Sequence, residues 1–372
     1  MRKLRTLARN AFAILSTTAL LVTALAATGM ASYVEQPGGV APRPRPPEPP
    51  RPPMPPIRPL HVPELAEYLD RIEIGGPAFC RSLAVFPLTL RGGDVLDGPW
   101  LAMDEALRRG LLIVTEKGRG SVPEIVMENR SRRDSILIVA GEVVSGGKQT
   151  RTIRQDIILA PGQRIEVGVY CVEQHRWEGG ERFEPSGRMV PQSVQKEVRA
   201  GASQDSIWSE VARSNAALGA DSPTGSIERS LNSPEVSRQL EAARDAIAPR
   251  CPRESVGFIF VHRGQAVGAE FFGRADLART LLPKLIDAYA CDYVLPDKGN
   301  EYMRPSGRST AEWFLGRIRG AGSWHAATPG SGVGIRTRAA GSMGDGVGFE
   351  DALVHFGVQP EVLIPREPPW RE

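Results

Sequence analysis

Apolar and polar positions alternate over short stretches between about residues 80 and 177. In the run RIEVGVYCVEQHRW, residues 164–177, Ile165, Val167, Val169 and Cys171 recur at every second position, which places them on one half-buried face of a β-strand. Short, regularly spaced strands of this kind indicate an antiparallel, sandwich-like or jelly-roll-like sheet. The other short runs rich in β-branched residues, separated by strand-ending Gly, Pro, Asp and Asn, are LAVFPLTL, GLLIVTE, PEIVMENRS, DSILIVAGEVV and TRTIRQDIILA.

The spacing changes to that of helices in residues 191–248. The runs PQSVQKEVRAG, DSIWSEVARSNAALG and SPEVSRQLEAARDAI have helical periodicity and begin with Pro, Asp or Ser, which favour helix starts. Next, VGFIFVHRGQAVGAEFFG predicts a hairpin that turns at Arg263 and Gly264, and ADLARTLLPKLIDAYACDYV predicts a helix. In the Gly-rich residues 296–372, VGFEDALVHFGV predicts one or two closing strands.

These patterns together predict an α+β fold. It consists of an antiparallel β-sandwich-like N-terminal half, a helical insertion and a C-terminal β-hairpin–helix unit. We expect residues 75–365 to form a single integrated α+β domain.

The first 31 residues have the three parts of a secretory signal. MRKLRTLARN is basic, AFAILSTTALLVTALA is apolar, and small residues follow up to Ala31. We therefore expect residues 1–31 to be a signal peptide, or an uncleaved signal anchor, since the uncharged stretch is long enough to span a bilayer. The protein would then be exported to the periplasm or the extracellular space, with membrane contact only through an uncleaved anchor.

A proline-rich tract follows, with the sequence APRPRPPEPPRPPMPPIRPLHVP in residues 41–63. Proline fixes φ and has no backbone N–H, so such a tract cannot join a helix or a sheet and extends as polyproline II. Residues 32–74 are therefore predicted to be a disordered Pro-rich linker that acts as a spacer.

Charge and cysteine content narrow the classes of partner. The formal net charge is only +3, and several of the basic residues lie in the leader and linker, so no nucleic-acid partner is expected. The four cysteines form no CxxC, which argues against a structural zinc site, and Cys251 with Cys291 is the first candidate for a disulfide. No GxSxG, no HExxH and no helix-opening GxGxxG is present, which argues against the common hydrolase, metalloprotease and dinucleotide-dehydrogenase classes. The sequence assigns no metal ligands and leaves the cofactor unknown.

The densest cluster of polar residues is GEVVSGGKQTR, residues 141–151. Gly146 and Gly147 predict a hairpin or bulge turn. Backbone amides at the glycines, together with the cations, could receive a carboxylate or phosphate, whereas the alternative is a solvated hairpin tip. The polar residues expected around the mouth of the turn are Glu142, Lys148, Gln149 and Arg151.

A second cluster is CVEQHRW, residues 171–177. If the strand continues, Cys171, Glu173 and His175 share one face and Arg176 lies on the other. Such a face could hold a thiolate–imidazole pair or part of a metal site. The alternative is a buried cysteine that packs as a small apolar residue, with Glu173 paired to an arginine.

From residue 128 onward the sequence resembles the ARG-and-rhodanese-phosphatase-superfamily-associated protein domain, over most of residues 80–360. The family more often has glycine at the position of His175, so a catalytic role for His175 would be particular to this chain. The resemblance implies one integrated domain and, through the family's name, a link to NAD or ADP-ribose metabolism, but no established activity. It is carried by Gly141-Glu142, Gly146-Gly147-Lys148-Gln149 with Arg151, Cys171-Val172-Glu173, Arg176-Trp177, SVQKEVR, IWSEV, SPTGS and VGFIFVHRGQAVGAEFFGRADLARTLLPKLIDAY.

Taken together, the sequence predicts an exported binding module for a small anionic ligand, nucleotide-like or ADP-ribose-like. We expect the two clusters to meet at one end of the sheet in a single site, unless they form only an internal salt-bridge network. One alternative function is a hydrolase of such a ligand with Glu142 or Glu173 as general base, and another is a non-catalytic cell-envelope interaction protein. The predicted ligand-binding residues are Gly146, Gly147, Lys148, Gln149, Arg151, Arg176 and Trp177.

Overall fold

A computed structural model describes residues 61–220, 222–297, 307–339 and 341–360, which form eight α-helices and eighteen β-strands. The helices are α1 (Pro63–Asp70), α2 (Met103–Arg108), α3 (Gln192–Arg199), α4 (Gln204–Leu218), α5 (Ile227–Leu231), α6 (Pro234–Ile247), α7 (Ala275–Tyr293) and α8 (Arg308–Arg319). The strands are β1 (Ile72–Ile74), β2 (Ala78–Cys80), β3 (Leu83–Leu90), β4 (Trp100–Ala102), β5 (Leu112–Glu116), β6 (Glu124–Asn129), β7 (Ser135–Ile138), β8 (Glu142–Gly146), β9 (Arg151–Ile153), β10 (Ile157–Leu159), β11 (Arg164–Cys171), β12 (Phe183–Met189), β13 (Gly257–His262), β14 (Gln265–Phe272), β15 (Gly322–Ala326), β16 (Val333–Ala339), β17 (Ser342–Phe349) and β18 (Ala352–Pro360).

The N-terminal half contains a six-stranded antiparallel sheet in the order β12-β8-β9-β11-β6-β5 and a three-stranded sheet in the order β10-β7-β4. The predicted alternation along β11 is present, since Val167 and Val169 are buried while Glu166 is exposed. Two runs that read as single strands are each split between the two sheets. DSILIVAGEVV turns at Gly141, which has a positive φ of 89°, and TRTIRQDIILA bends between β9 and β10.

The larger sheet has nine strands, in the order β1-β3-β13-β14-β18-β17-β16-β15, with β2 also paired to β3. All its pairs are antiparallel. The predicted hairpin forms its centre. Arg263 and Gly264 at its turn have φ values of 48° and 79°, as expected for a two-residue turn of type I′.

The predicted helical insertion is formed by α3 to α6, between β12 and β13. Helix α4 shows why the sequence signals the helix ends: Ser203 caps its first turn by accepting the Ser206 N–H, and Gly219 ends it with a left-handed φ of 63°. Helix α7 then follows the hairpin, as predicted, and contacts strands of all three sheets. The mixed α+β architecture predicted from the sequence is therefore confirmed.

Residues after 306 contain more structure than the pattern predicted. The closing strands β17 and β18 are present, but α8, β15 and β16 were not foreseen. Their signal is weak because glycines fill strand positions where backbones pack closely. A Cβ on Gly346 would lie 2.1 Å from the carbonyl oxygen of His355, and one on Gly344 would lie 2.5 Å from the Phe356 ring.

The folded part also begins earlier than predicted. Residues 61–74, assigned to the Pro-rich linker, form α1 and β1, and Leu65, Tyr68 and Leu69 of α1 are buried. Proline is tolerated here because Pro63 occupies the first turn of the helix. The predicted signal segment and the rest of the linker lie outside the described residues. No helix in the described part of the chain is long and apolar enough to cross a membrane.

Candidate functional site

Two glycines form the turn that leaves β8, as predicted. Gly146 and Gly147 have φ values of 94° and 51°, in the region that L side chains rarely adopt. A Cβ on Gly147 would lie 2.3 Å from the Phe183 ring. Arg176 holds the turn closed, because its Nη2 donates to the Gly146 carbonyl (3.2 Å) and its Nη1 to the Gly147 carbonyl (3.0 Å).

Glu173 is the centre of a buried hydrogen-bond network that holds the loops together. Its Oε2 accepts from the backbone N–H and hydroxyl of Thr150 and from Arg176, and its Oε1 accepts from the Thr224 hydroxyl at 2.8 Å. Burial raises the pKa of Glu173, but the hydrogen bonds from Arg176, Thr224 and Thr150 outweigh it and lower the pKa to about 2. A carboxylate this acidic, with both oxygens occupied, is a poor general base. We call these residues, together with Gln149, the Glu173 network.

Arg151 lies beside this network and is completely buried. Its Nη1 donates to Gln149 Oε1 (2.7 Å), and Gln149 in turn donates to the Glu173 carbonyl (3.0 Å). The other two guanidinium nitrogens, Nε and Nη2, have no well-placed hydrogen-bond acceptor among the described residues. The Cys171 thiol lies close enough for a weak side-chain interaction with Arg151. Burial lowers the pKa of Arg151, and the nearby Cys171 and Glu116 oppose that shift only in part.

An exposed indole covers this buried cation. The centre of the Trp177 ring is 5.7 Å from Arg151 Cζ and 5.8 Å from Lys148 Nζ, and 46% of Trp177 is exposed. The Lys148 side chain lies against Gly120, where a Cβ would approach its stem to 2.7 Å. Both cations thus lie within reach of a cation–π interaction with Trp177.

Glu116, at the end of β5, completes the arrangement and was not predicted from the sequence. Its Oε1 accepts the Lys148 backbone N–H at 2.7 Å, whereas its buried Oε2 has no partner in the described part of the chain. The only sequence signal was an acidic residue that ends the apolar run GLLIVTE. We call Arg151, Lys148, Trp177 and Glu116 the Arg151 site.

Glu142 does not lie at the mouth of the turn, where the sequence placed it. Strand β8 runs from Glu142 to Gly146, which separates them by about 13 Å. Glu142 is buried, with Oε1 2.6 Å from Lys284 Nζ and Oε2 accepting the Val139 N–H at 2.8 Å. Burial raises the pKa of Glu142, and Lys284, which also pairs with Asp104 at 2.5 Å, partly offsets this.

The second cluster does not continue as a strand, so Cys171, Glu173 and His175 do not share a face. Strand β11 ends at Cys171, and the His175 N–H bonds to the Thr224 carbonyl, which leaves His175 exposed. Cys171 is buried, and burial raises the pKa of its thiol, consistent with the alternative of a small apolar residue. Cys251 and Cys291 are free thiols, so the expected disulfide is absent.

A second buried charge cluster connects distant parts of the chain. His355 Nδ1 is 2.6 Å from Asp156 Oδ2 and its Nε2 is 3.1 Å from Glu270 Oε2, which requires a protonated ring. Burial lowers the pKa of His355, but Asp156 and Glu270 raise it to about 9. Arg199 pairs with Glu270 (3.5 Å) and with Asp345 (2.8 Å). His355 is thus part of a buried structural cluster that the sequence did not predict.

A surface groove of about 580 Å³ lies apart from the Arg151 site and from the charge cluster around His355. Helix α8 forms one wall with Trp313, which is 59% exposed, and the turn at Gly264 and the end of β18 form the others. None of the residues predicted to bind ligand or to act in catalysis lines this groove. This groove and the Arg151 site are therefore different places on the molecule.

Comparison with known protein families gives a match over most of the chain. The family model for the ARG and Rhodanese-Phosphatase-superfamily-associated Protein domain matches residues 71–358, more than three quarters of the 372-residue chain. Both polar clusters lie within the matched residues. No curated protein and no solved structure gives a significant match.

Proposed function

Since the chain belongs to the family of the ARG and Rhodanese-Phosphatase-superfamily-associated Protein domain, as its motifs suggested, we propose that it is a binding module for a small anionic ligand held at the Arg151 site. The observation that carries this proposal is the completely buried Arg151 guanidinium, two of whose nitrogens have no partner in the described residues.

Such an arrangement is energetically unfavourable without a further partner. Each buried donor left unpaired costs about 1–3 kcal/mol, and removing an isolated charge from water costs several kcal/mol more. Other buried cations in the protein are treated differently, since Lys284 and Arg199 each lie against two carboxylates. An anion bound beside Arg151 would therefore balance its buried positive charge.

The position of the unpaired nitrogens favours an oxyanion. Nε and Nη2 lie on one edge of the guanidinium and point their N–H groups in the same direction, which suits two oxygens of a carboxylate or phosphate. Lys148 supplies a second positive charge beside them. Entry requires Trp177, which is 46% exposed, to swing aside. A nucleotide-like or ADP-ribose-like ligand would bring a phosphate to Arg151 and a flat base to Trp177.

Neither glutamate expected as a general base gives support to hydrolysis. Glu173 is fully hydrogen-bonded with a pKa of about 2, and Glu142 is paired with Lys284 away from the Arg151 site. Binding without catalysis is therefore the function we propose. Export through residues 1–31 belongs to the same proposal, and it rests on the sequence of the leader alone.

The proposal is tested by thermal unfolding with phosphate, nucleotides and ADP-ribose. A ligand at about 100 times its Kd adds about 2.7 kcal/mol to the free energy of unfolding of the wild type. Arg151→Met, close in volume but uncharged, should keep its unliganded stability within about 1 kcal/mol and lose the ligand effect. Lys117→Met is the control, since Lys117 pairs with Glu124 and Glu166 on the nearby surface. Equal ligand effects in all three proteins would refute the proposal.

A further inference from the structure

Glu116 lacks a hydrogen-bond donor, whereas Arg151 lacks hydrogen-bond acceptors. It is 6% exposed, and its Oε1 accepts the Lys148 backbone N–H at 2.7 Å, but its Oε2 has no hydrogen-bond donor among the described residues. A buried carboxylate oxygen without a donor is as unfavourable as a buried guanidinium nitrogen without an acceptor. The two deficiencies occur in one place.

Contacts through Gly147, Lys148 and Trp177 connect the two groups. A Cβ on Gly147 would lie 2.8 Å from Glu116 Oε1. Glu116 holds the Lys148 backbone, and the Lys148 Nζ and Arg151 Cζ atoms lie 5.8 Å and 5.7 Å from the Trp177 ring centre. The charge of Glu116 is also close enough to Arg151 to raise the pKa of the guanidinium. The two nevertheless form no hydrogen bond with each other, since Glu116 Oε2 and the Arg151 Nε and Nη2 atoms are all without a partner among the described residues.

We propose that the ligand of the Arg151 site is an oxyanion that also carries a hydrogen-bond donor, a hydroxyl or an ammonium group, two or three bonds from the anionic group. The oxyanion accepts from Nε and Nη2 of Arg151, and the donor bonds to Glu116 Oε2. This inference rests on the proposed function, and it narrows the ligand class.

A plain anion fits this site poorly. It would satisfy Arg151 but leave Glu116 Oε2 unpaired, and the Glu116 charge would repel it. A hydroxyl or ammonium group on the ligand would donate a hydrogen bond to Glu116 Oε2. This bond would pair the oxygen and offset the repulsion between Glu116 and the anion. Since hydrogen bonds to charged groups are among the stronger ones, the donor should tighten binding about 10- to 100-fold.

The test uses three phosphates of matched size: ethyl phosphate, 2-hydroxyethyl phosphate and 2-aminoethyl phosphate. Their Kd values are measured by calorimetry at one pH and ionic strength for the wild type, for Glu116→Gln and for Arg151→Met. Glu124→Gln is the control, because Glu124 pairs with Lys117 on the neighbouring surface. The hydroxyl and amine compounds should bind the wild type about 10- to 100-fold more tightly than ethyl phosphate, and the stronger of the two identifies the donor.

The variants distinguish the requirement for a donor on the ligand from anion binding at Arg151 itself. Glu116→Gln should remove most of the advantage of the donor compounds, whereas Glu124→Gln should retain it and Arg151→Met should bind none of the three. Equal Kd values for all three ligands in the wild type, with binding still lost in Arg151→Met, would overturn the donor requirement and leave the anion site intact. Failure of all three to bind the wild type would overturn both. If Glu116→Gln does not fold, the wild-type comparison alone decides.

Discussion

Glu173 and Arg151, from neighbouring motifs, differ in how completely they are hydrogen-bonded. Glu173 accepts hydrogen bonds on both oxygens, from Thr150, Arg176 and Thr224, whereas Arg151 uses one nitrogen out of three. The sequence offered both as members of one site but could not separate their roles, because the partners Thr150 and Thr224 are ordinary turn residues. The structure assigns Glu173 to the support of the loops and leaves Arg151 available for a ligand.

The first prediction concerns the stability contributed by Glu173. Glu173→Gln should lower the free energy of unfolding at pH 7 by about 2–3 kcal/mol, because the charge-assisted bonds from Arg176 and Thr150 are weakened. The folded pKa of about 2 lies below the unfolded value of about 4.3, so this stability is present above pH 4.3 and is lost as the pH falls towards 2.

Denaturant unfolding between pH 7 and pH 2.5 measures the effect. The difference between the wild type and Glu173→Gln should shrink over the acid range, while the exposed control Glu184→Gln should match the wild type throughout. A difference that does not change with pH would mean that the carboxylate charge of Glu173 contributes nothing.

At the scale of elements, the sequence predicted helix ends and turns correctly. It did not predict where a strand bends from one sheet into another. Ser203 and Gly219 define the ends of α4, and the turn at Arg263 and Gly264 defines the central hairpin, because each signal acts within a few residues. The split of TRTIRQDIILA into β9 and β10 was not predictable in the same way, since it depends on Asp156, which bonds to the Ala140 N–H and to His355. Distant contacts decide where that strand bends.

The second prediction concerns the loop that closes on the Gly146–Gly147 turn. In Gly179→Ala the new Cβ would lie 2.0 Å from the Gly147 carbonyl oxygen, and φ at this position is +146°. The loop must shift, so the free energy of unfolding should fall by at least about 2 kcal/mol and anion binding should weaken as Arg176 loses its position. Gly180→Ala is the matched control, since nothing lies within 4 Å of its Cβ. Equal stability of the two variants would show that the turn is not held as described.

At the scale of the whole molecule, buried ion pairs join the N-terminal sheets to the nine-stranded sheet. Asp156 follows β9, while His355, Glu270 and Asp345 belong to the large sheet. The sequence predicted the α+β class because each half has a clear pattern of its own. It could not predict this connection, because Asp156 and His355 are 199 positions apart and a lone histidine carries no spacing signal.

The third prediction concerns the pH dependence of this connection. The folded pKa of His355, about 9, exceeds the unfolded value of about 6.5, so its stabilisation is complete below pH 6.5 and is lost as the pH rises through 9. His355→Gln should cost about 3–5 kcal/mol at pH 6, because Asp156 and Glu270 lose their counter-charge. The difference from the wild type should narrow by pH 9.5 in thermal unfolding. His325→Gln, at an exposed pair with Glu64, is the control and should show little change; a constant penalty for His355→Gln would contradict the protonated ring.

The most direct test of the central claim, that Arg151 binds an oxyanion, is to observe its guanidinium. In protein labelled with ¹⁵N-arginine, the Nε–H resonance that disappears in Arg151→Met identifies Arg151. Titration with 2-hydroxyethyl phosphate should move this resonance to saturation, whereas chloride at equal ionic strength should leave it in place. The Arg199 Nε–H resonance should not move with either, since the Arg199 charge is already balanced by Glu270 and Asp345 through its two Nη atoms. An Arg151 resonance that stays unchanged through the phosphate titration would contradict the account.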